Sequence, residues 1–238
     1  MPTVGAVQVH RRHSHRDVNG GWLRPAVFGA MDGLVSNTAL ITGVAGGAVA
    51  PQTIVITGLA GLASGAFSMA AGEYTSVASQ RDLVLAELAV ERRELAEDPE
   101  GERAELADRF RARGVTASLA ESVAEQLSRD PELALEIHAR DELGVDPRSL
   151  PSPLVAAVSS FGAFAIGAFL PVLPYLLGAT QVWPAAVLAL SGLFLCGAAV
   201  SKVTARPWWY TGLRQFILGG AAAAVTYVLG SLLGAAIG

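Results

Sequence analysis

The chain has 238 residues, 52% of them hydrophobic and 16% charged, with one cysteine and a formal net charge of −4. That apolar balance excludes an ordinary soluble domain, and the single cysteine excludes a disulfide framework. Acids outnumber bases in the longest polar stretch, which excludes a nucleic-acid-binding patch there.

Apolar runs long enough to cross a bilayer, about 20 residues each, occur at 22–48, 52–74, 153–177, 183–203 and 212–237. Residues 1–21 precede the first as a polar segment carrying His10, His13 and His15, a short cluster able to collect metal. The first run is no cleavable signal: it is too long, contains Asp32, and lacks a convincing small-residue cleavage site.

Charge sets the orientation. Arg11, Arg12, Arg16 and Arg24 lie before or at the start of span one; Arg81 and nine further arginines lie between spans two and three. Lys202, Arg206 and Arg214 surround the link between spans four and five, and the other two links are uncharged. By the positive-inside rule the N-terminus and residues 82–150 are cytoplasmic and the C-terminus is outside. The expected fold is an all-α integral membrane protein with five transmembrane helices: 22–81 holds helices one and two, 82–150 a cytoplasmic helical domain, and 151–238 helices three to five.

Of the 21 acids, 18 fall between Asp82 and Asp146, and only Asp32 and Glu73 lie in membrane segments. A carboxylate at membrane depth costs a few kcal/mol and marks an ion path or a protonatable site. Asp32 comes about ten residues into span one, roughly 15 Å along a helix rising 1.5 Å per residue, near mid-bilayer. Ser36 is one turn further on the same face. On span two Met69 and Glu73 form an i,i+4 pair, and a thioether beside a carboxylate suits Fe²⁺ better than an alkali ion. Glu73 has a plainer alternative as a solvated carboxylate at headgroup level. A carboxyl group that holds either a proton or a metal is the minimal hardware for proton–metal exchange.

No proline or glycine interrupts Glu73 through Glu97, so span two is expected to leave the bilayer as one continuous stalk. Gly43-x-x-x-Gly47 and Gly61-x-x-x-Gly65 permit close helix approach. Between 82 and 146, 18 acids face 8 arginines, a net −10, and helices are expected at 82–97, 99–113, 117–128 and 131–143. Asp98-Pro99, Asp130-Pro131 and Ser152-Pro153 each pair an N-cap with proline at the first helical position. Thr116 can cap the third of these helices, and Gly144 stops the fourth. Pro171 and Pro174 should kink the outer end of span three.

Glu91 and Glu94 on the stalk and Glu102 and Glu105 on the next helix share an i,i+3 spacing. A turn at Asp98-Pro99 would let these four carboxylates converge, with His138 and Glu142, an i,i+4 pair, closing the cluster. Oxygen ligands with one imidazole favour Fe²⁺ or Mn²⁺; the alternative is a solvated helical face with ordinary Glu–Arg pairing. No phosphate-binding glycine loop, Glu-x-x-His pair, Cys-x-x-Cys or nucleophile–base set stands out, so an enzyme is not expected.

The stretches Gly21-Trp22-Leu23-Arg24, Met31-Asp32-Gly33-Leu34-Val35-Ser36, Ser68-Met69-Ala70-Ala71-Gly72-Glu73-Tyr74, Ser79-Gln80-Arg81-Asp82, Glu91-Arg92-Arg93-Glu94-Leu95-Ala96 and Asp141-Glu142-Leu143-Gly144 together resemble the vacuolar iron transporter family. The resemblance implies a homodimer through helices one and two that exports divalent iron, and often manganese, from the cytoplasm in exchange for protons. It implies a transport path through Asp32, Met69 and Glu73, with Ser36 beside it, and metal binding by Glu91, Glu94, Glu102, Glu105 and Glu142. The metal is substrate and bound ion, and no prosthetic group is implied. Two departures bear on metal preference: His138 and Ala139 stand where eukaryotic relatives carry paired methionines, and Met31 precedes Asp32 where many prokaryotic relatives have asparagine. The expected location is the plasma membrane of a prokaryote. The rival reading is a membrane-anchored metal-binding or sensing protein without transport.

Overall fold

The computed structural model describes residues 21–202 and 206–237; the histidines at 10, 13 and 15 lie outside them. Among the described residues the structure is helical, without strands. Helix α1 spans Leu23–Gly46 and α2 spans Pro51–Glu97, followed by α3 (Pro99–Ala112), α4 (Ala117–Leu127) and α5 (Pro131–His138). A π turn covers Ala139–Leu143 and a 3₁₀ turn Pro147–Ser149. The chain then returns through α6 (Pro153–Phe169), α7 (Leu173–Leu176), α8 (Trp183–Val200) and α9 (Trp208–Ile237).

Four of these helices, α1, α2, α8 and α9, are long and apolar enough to cross a membrane. Helix α6 is apolar but only 17 residues long, about 25 Å at 1.5 Å per residue. It ends at Phe169, two residues before Pro171, and the chain resumes as the single turn α7. The kink expected at Pro171 and Pro174 is therefore a full break.

Helix α2 runs unbroken for 47 residues, about 70 Å, because nothing after Gly72 interrupts the backbone ladder. Its distal half is the stalk, where Leu88 packs with Leu135 and Ala139. A second small core of Leu106, Ala107, Ala120 and Ala124 joins α3 to α4. The caps act locally as their residue types require. The Asp98 carboxylate accepts from the Gly101 amide at 2.9 Å, and Asp130 accepts from the Glu132 amide at 3.0 Å. Thr116 precedes α4 but its hydroxyl makes no cap hydrogen bond. Its extended backbone alone starts the helix there. Gly144 stops the π turn in the left-handed conformation, φ 66°.

Within the bundle, α1 packs on α6 and α9 through backbone contacts that only glycine allows. A Cβ at Gly29 would lie 2.7 Å from the Ser160 carbonyl oxygen, while one at Gly33 would strike the Phe164 carbonyl and one at Gly167 the Ala30 carbonyl. Towards the C-terminal end of α1, Gly46 lies against the Tyr227 carbonyl, Gly230 against the Gly43 carbonyl, and Gly47 against Gly234. Gly61 meets Leu40 and Asn37, and Gly65 meets the Phe164 ring. Both glycine pairs singled out from the sequence thus serve contacts inside the subunit. Asn37 ties three helices: its Nδ2 donates to the Gly58 carbonyl of α2 at 3.1 Å and the Ala168 carbonyl of α6 at 2.6 Å.

Gly167→Val should lower the thermal midpoint of the detergent-solubilised protein by about 2–12 °C, as overpacking of 1–3 kcal/mol does in a chain of this size. Gly162→Ala on the same helix meets nothing within 4 Å and should leave the midpoint where it is. Equal midpoints for the two variants would remove the close-approach account of the α1–α6 contact.

Candidate metal centre

The π turn follows directly on α5 and brings Glu142 back against His138, the last residue of α5. Wider than an α-helix, such turns are frequent at functional sites. His138 is fully buried, and its Nδ1 lies 3.2 Å from Glu142 Oε1, 2.9 Å from Glu91 Oε1 and 3.4 Å from Glu102 Oε2. The stalk supplies Glu91, α3 supplies Glu102, and the π turn supplies Glu142. One carboxylate oxygen each from Glu91 and Glu142 and a ring nitrogen of His138 lie within 4.8 Å of one another.

Only the Glu142 approach is a hydrogen bond with the imidazole. Despite its 2.9 Å distance, the Glu91 contact lies off the hydrogen-bonding direction, and Glu91 Oε1 is buried with no donor; His138 Nε2 likewise has no partner. A buried carboxylate oxygen without a donor is a costly group. A cation placed among these oxygens would satisfy it, so the donor set fits a divalent metal.

The electrostatics are those of crowded acids. Burial, and then the charge of Glu142, push the Glu91 carboxyl up to about 7 against the lowering pull of His138; Glu102 and Glu94 add to the rise. Burial also raises Glu102, again against His138. Glu94 is exposed and acts on both through its charge alone. Glu105 is drawn aside by Arg109, whose Nη2 stands 2.7 Å from Glu105 Oε1 and 3.0 Å from Glu142 Oε1. The structure thus brings Glu91, Glu102, His138 and Glu142 together and leaves Glu94 and Glu105 at the edge.

In the membrane half the expected path residues are not joined to one another. Asp32 and Ser36 are exposed on one stripe of α1, with Phe28 and Leu40 a turn beyond each end. The Ser36 hydroxyl donates to the Asp32 backbone carbonyl at 2.6 Å, and among the described residues no hydrogen bond or ion pair reaches the Asp32 carboxylate. Met69 packs against Ala66, Phe164 and Ala168. Glu73 lines a cavity of about 400 Å³ with Arg24, Gln80, Asp146 and Ser149, between the start of α1 and the loop leading into α6.

Two arrangements escaped the sequence. Arg109 was visible as i+4 from Glu105 and i+7 from Glu102, one helix face. Glu136, buried, pairs with Arg140 at 2.7 Å and Arg148 at 2.6 Å, which ties α5 to the 3₁₀ turn before α6. The Arg140 pair is an i,i+4 signal; the Arg148 pair needs the loop's path.

A carboxyl raised to about 7 from an ordinary 4.5 holds its proton more tightly folded than unfolded. In the metal-free protein it therefore destabilises the fold progressively as pH rises between about 4.5 and 7, with the full effect above that window. Glu91→Gln should raise the thermal midpoint of metal-free protein at about pH 8 and flatten its fall from about pH 5; a steeper fall in the variant would contradict this.

The family model described as the VIT family matches residues 23–231. The vacuolar iron transporter of Acanthamoeba castellanii is 39% identical over 189 residues, covering 76% of this chain and 69% of the relative. Vacuolar iron transporter 1 of Oryza sativa subsp. japonica is 31% identical over 229 residues, 92% of this chain and 89% of the relative. Its namesake in Arabidopsis thaliana is 28% identical over 228 residues, 93% and 90%.

Proposed function

The chain belongs to the VIT family, a family of transporters and not of enzymes, and from that premise we propose that it exports divalent iron, with manganese as a second cargo, from the cytoplasm across the plasma membrane in exchange for protons. The observation that carries the reading is Asp32, a carboxylate in the middle of an apolar helix, exposed on the subunit's surface without a partner. Facing lipid it would cost several kcal/mol; facing a water-filled path it would not. An anchor for a soluble metal-binding domain has no use for it.

A homodimer supplies such a path. The exposed stripe of α1 with Asp32 and Ser36 lies beside α2, whose exposed residues Ala60, Ser64, Ser68 and Gly72 recur every fourth position. Small residues at that spacing allow a second helix to approach closely, and they are not consumed by contacts within the subunit as Gly61 and Gly65 are. Two copies meeting on α1 and α2 would enclose two Asp32 carboxylates between them. In this reading Met69 and Glu73 lie nearer the cytoplasmic side, and the polar cavity beside Glu73 opens towards the stalk.

The cytoplasmic helices act as collector. Glu91, Glu102, His138 and Glu142 bind the ion, with Glu94 and Glu105 at the rim adding charge and joining when the ion recruits them. Three carboxylates with one imidazole suit Fe²⁺ and Mn²⁺ and, lacking the thioether ligands of paired methionines, shift the preference towards the harder ion. At Asp32 a proton arriving from outside displaces the ion, and its release inward resets the carboxylate.

Fe²⁺ flux into proteoliposomes under an imposed proton gradient tests this, comparing wild type with Asp32→Ala. Gradient-dependent flux that falls to the level of empty liposomes in the variant is expected. A wild-type protein that binds iron and moves none under either gradient direction would instead be a membrane-anchored metal-binding protein.

A further inference from the structure

We infer that Arg109 is a built-in competitor for the divalent cation: in the metal-free protein its guanidinium occupies carboxylate oxygens of Glu142 and Glu105 that the ion takes, and it swings aside when metal binds. This rests on reading the His138 cluster as a metal site.

The contested atom is specific. Glu142 Oε1 is the oxygen that approaches His138 Nδ1 at 3.2 Å, and Arg109 Nη2 holds that same oxygen at 3.0 Å. An ion lying between the imidazole and this carboxylate competes with the guanidinium charge for the same oxygen. The same nitrogen also holds Glu105 Oε1 at 2.7 Å, a fourth carboxylate that stands apart from the histidine.

The form of the contact suits a displaceable partner rather than a fixed one. A permanent arginine–carboxylate pair is commonly a fork, with two parallel N–H···O bonds from two nitrogens. Here one terminal nitrogen is divided between two carboxylates, while Arg109 Nε is buried with no acceptor. Leaving this arrangement frees a buried donor. The side chain is 30% exposed and Glu105 50% exposed, so the guanidinium has solvent to swing into without moving α3. A divalent ion brings twice the charge of the group it displaces, which favours the exchange.

A site whose binding-competent state is only partly populated binds more weakly by that fraction. Removing the competitor removes the penalty. The opposite arrangement, in which Arg109 orients Glu142 for the metal, predicts weaker binding on its removal.

Mn²⁺ titration of the detergent-solubilised full-length protein decides between them. Arg109→Gln, and Arg109→Met as a second variant of similar volume, should tighten the Kd for Mn²⁺ roughly tenfold, the factor for a latch closed about nine-tenths of the time. Arg113→Gln removes an equal charge nearby from a pair with Asp141, at 2.8 Å, without freeing a cluster oxygen, and should stay close to wild type. Unchanged or weaker binding in both Arg109 variants, beside intact wild-type binding, overturns the competitor alone. Equal tightening in Arg113→Gln overturns it too, as a general charge effect. No saturable wild-type binding, or binding indifferent to Glu142→Gln, removes the metal site and the competitor with it.

Discussion

Helices in lipid gain nothing from hiding apolar surface from one another, so they hold together by close backbone approach and by a few hydrogen bonds. Helix α1 is where this constraint is met. Gly29 and Gly33 lie on the carbonyls of α6, Gly43, Gly46 and Gly47 lie on α9, and Asn37 bridges to α2 and α6. With those faces committed to neighbours, the remaining stripe of α1 is the one left outward, and Asp32 and Ser36 are on it. The position of the intramembrane carboxylate follows from which faces the glycines occupy.

The helices α3 to α5 and the distal half of α2 obey a different constraint, the need to bury an imidazole among acids without a fixed counter-ion. The stalk carries Glu91 to the site because α2 is continuous, and the apolar seam of Leu88, Leu135 and Ala139 fastens the π turn against it. The result leaves Glu91 Oε1 and His138 Nε2 without partners and raises the Glu91 carboxyl. A structural ion-pair cluster would satisfy these groups. Arg109 relieves part of the charge from the rim, and the Glu136–Arg148 pair links α5 to the turn that leads back into the membrane.

Much of the helical framework was legible in the chain. Asp98, Asp130 and Ser152 act as the caps their proline-flanked positions announce, Gly144 stops the π turn, and α2 runs to Glu97 where no glycine or proline would break it. The convergence of Glu91, Glu102, His138 and Glu142 followed from i,i+3 and i,i+4 spacing once a turn at Asp98 folded α3 back. Glu94 and Glu105 share that spacing yet stand apart. Spacing states which residues share a helix face but not how the helix is rotated against its neighbours. The glycine pairs show the same limit: Gly43, Gly47, Gly61 and Gly65 were recognisable as contact residues, and nothing local says whether the contact is within a subunit or between two.

The sequence by itself determined helix extents, caps, the segregation of charge and the pool of residues from which the candidate site is drawn, because these depend on backbone propensity, transfer energy and periodicity along one chain. Tertiary structure alone decided which carboxylates meet the imidazole, that Arg109 reaches Glu142 from another element, and that Asp32 faces outward. Those depend on how the helices are rotated and spaced against one another. That geometry is set by the summed fit of many side chains and backbones, and no single segment encodes it.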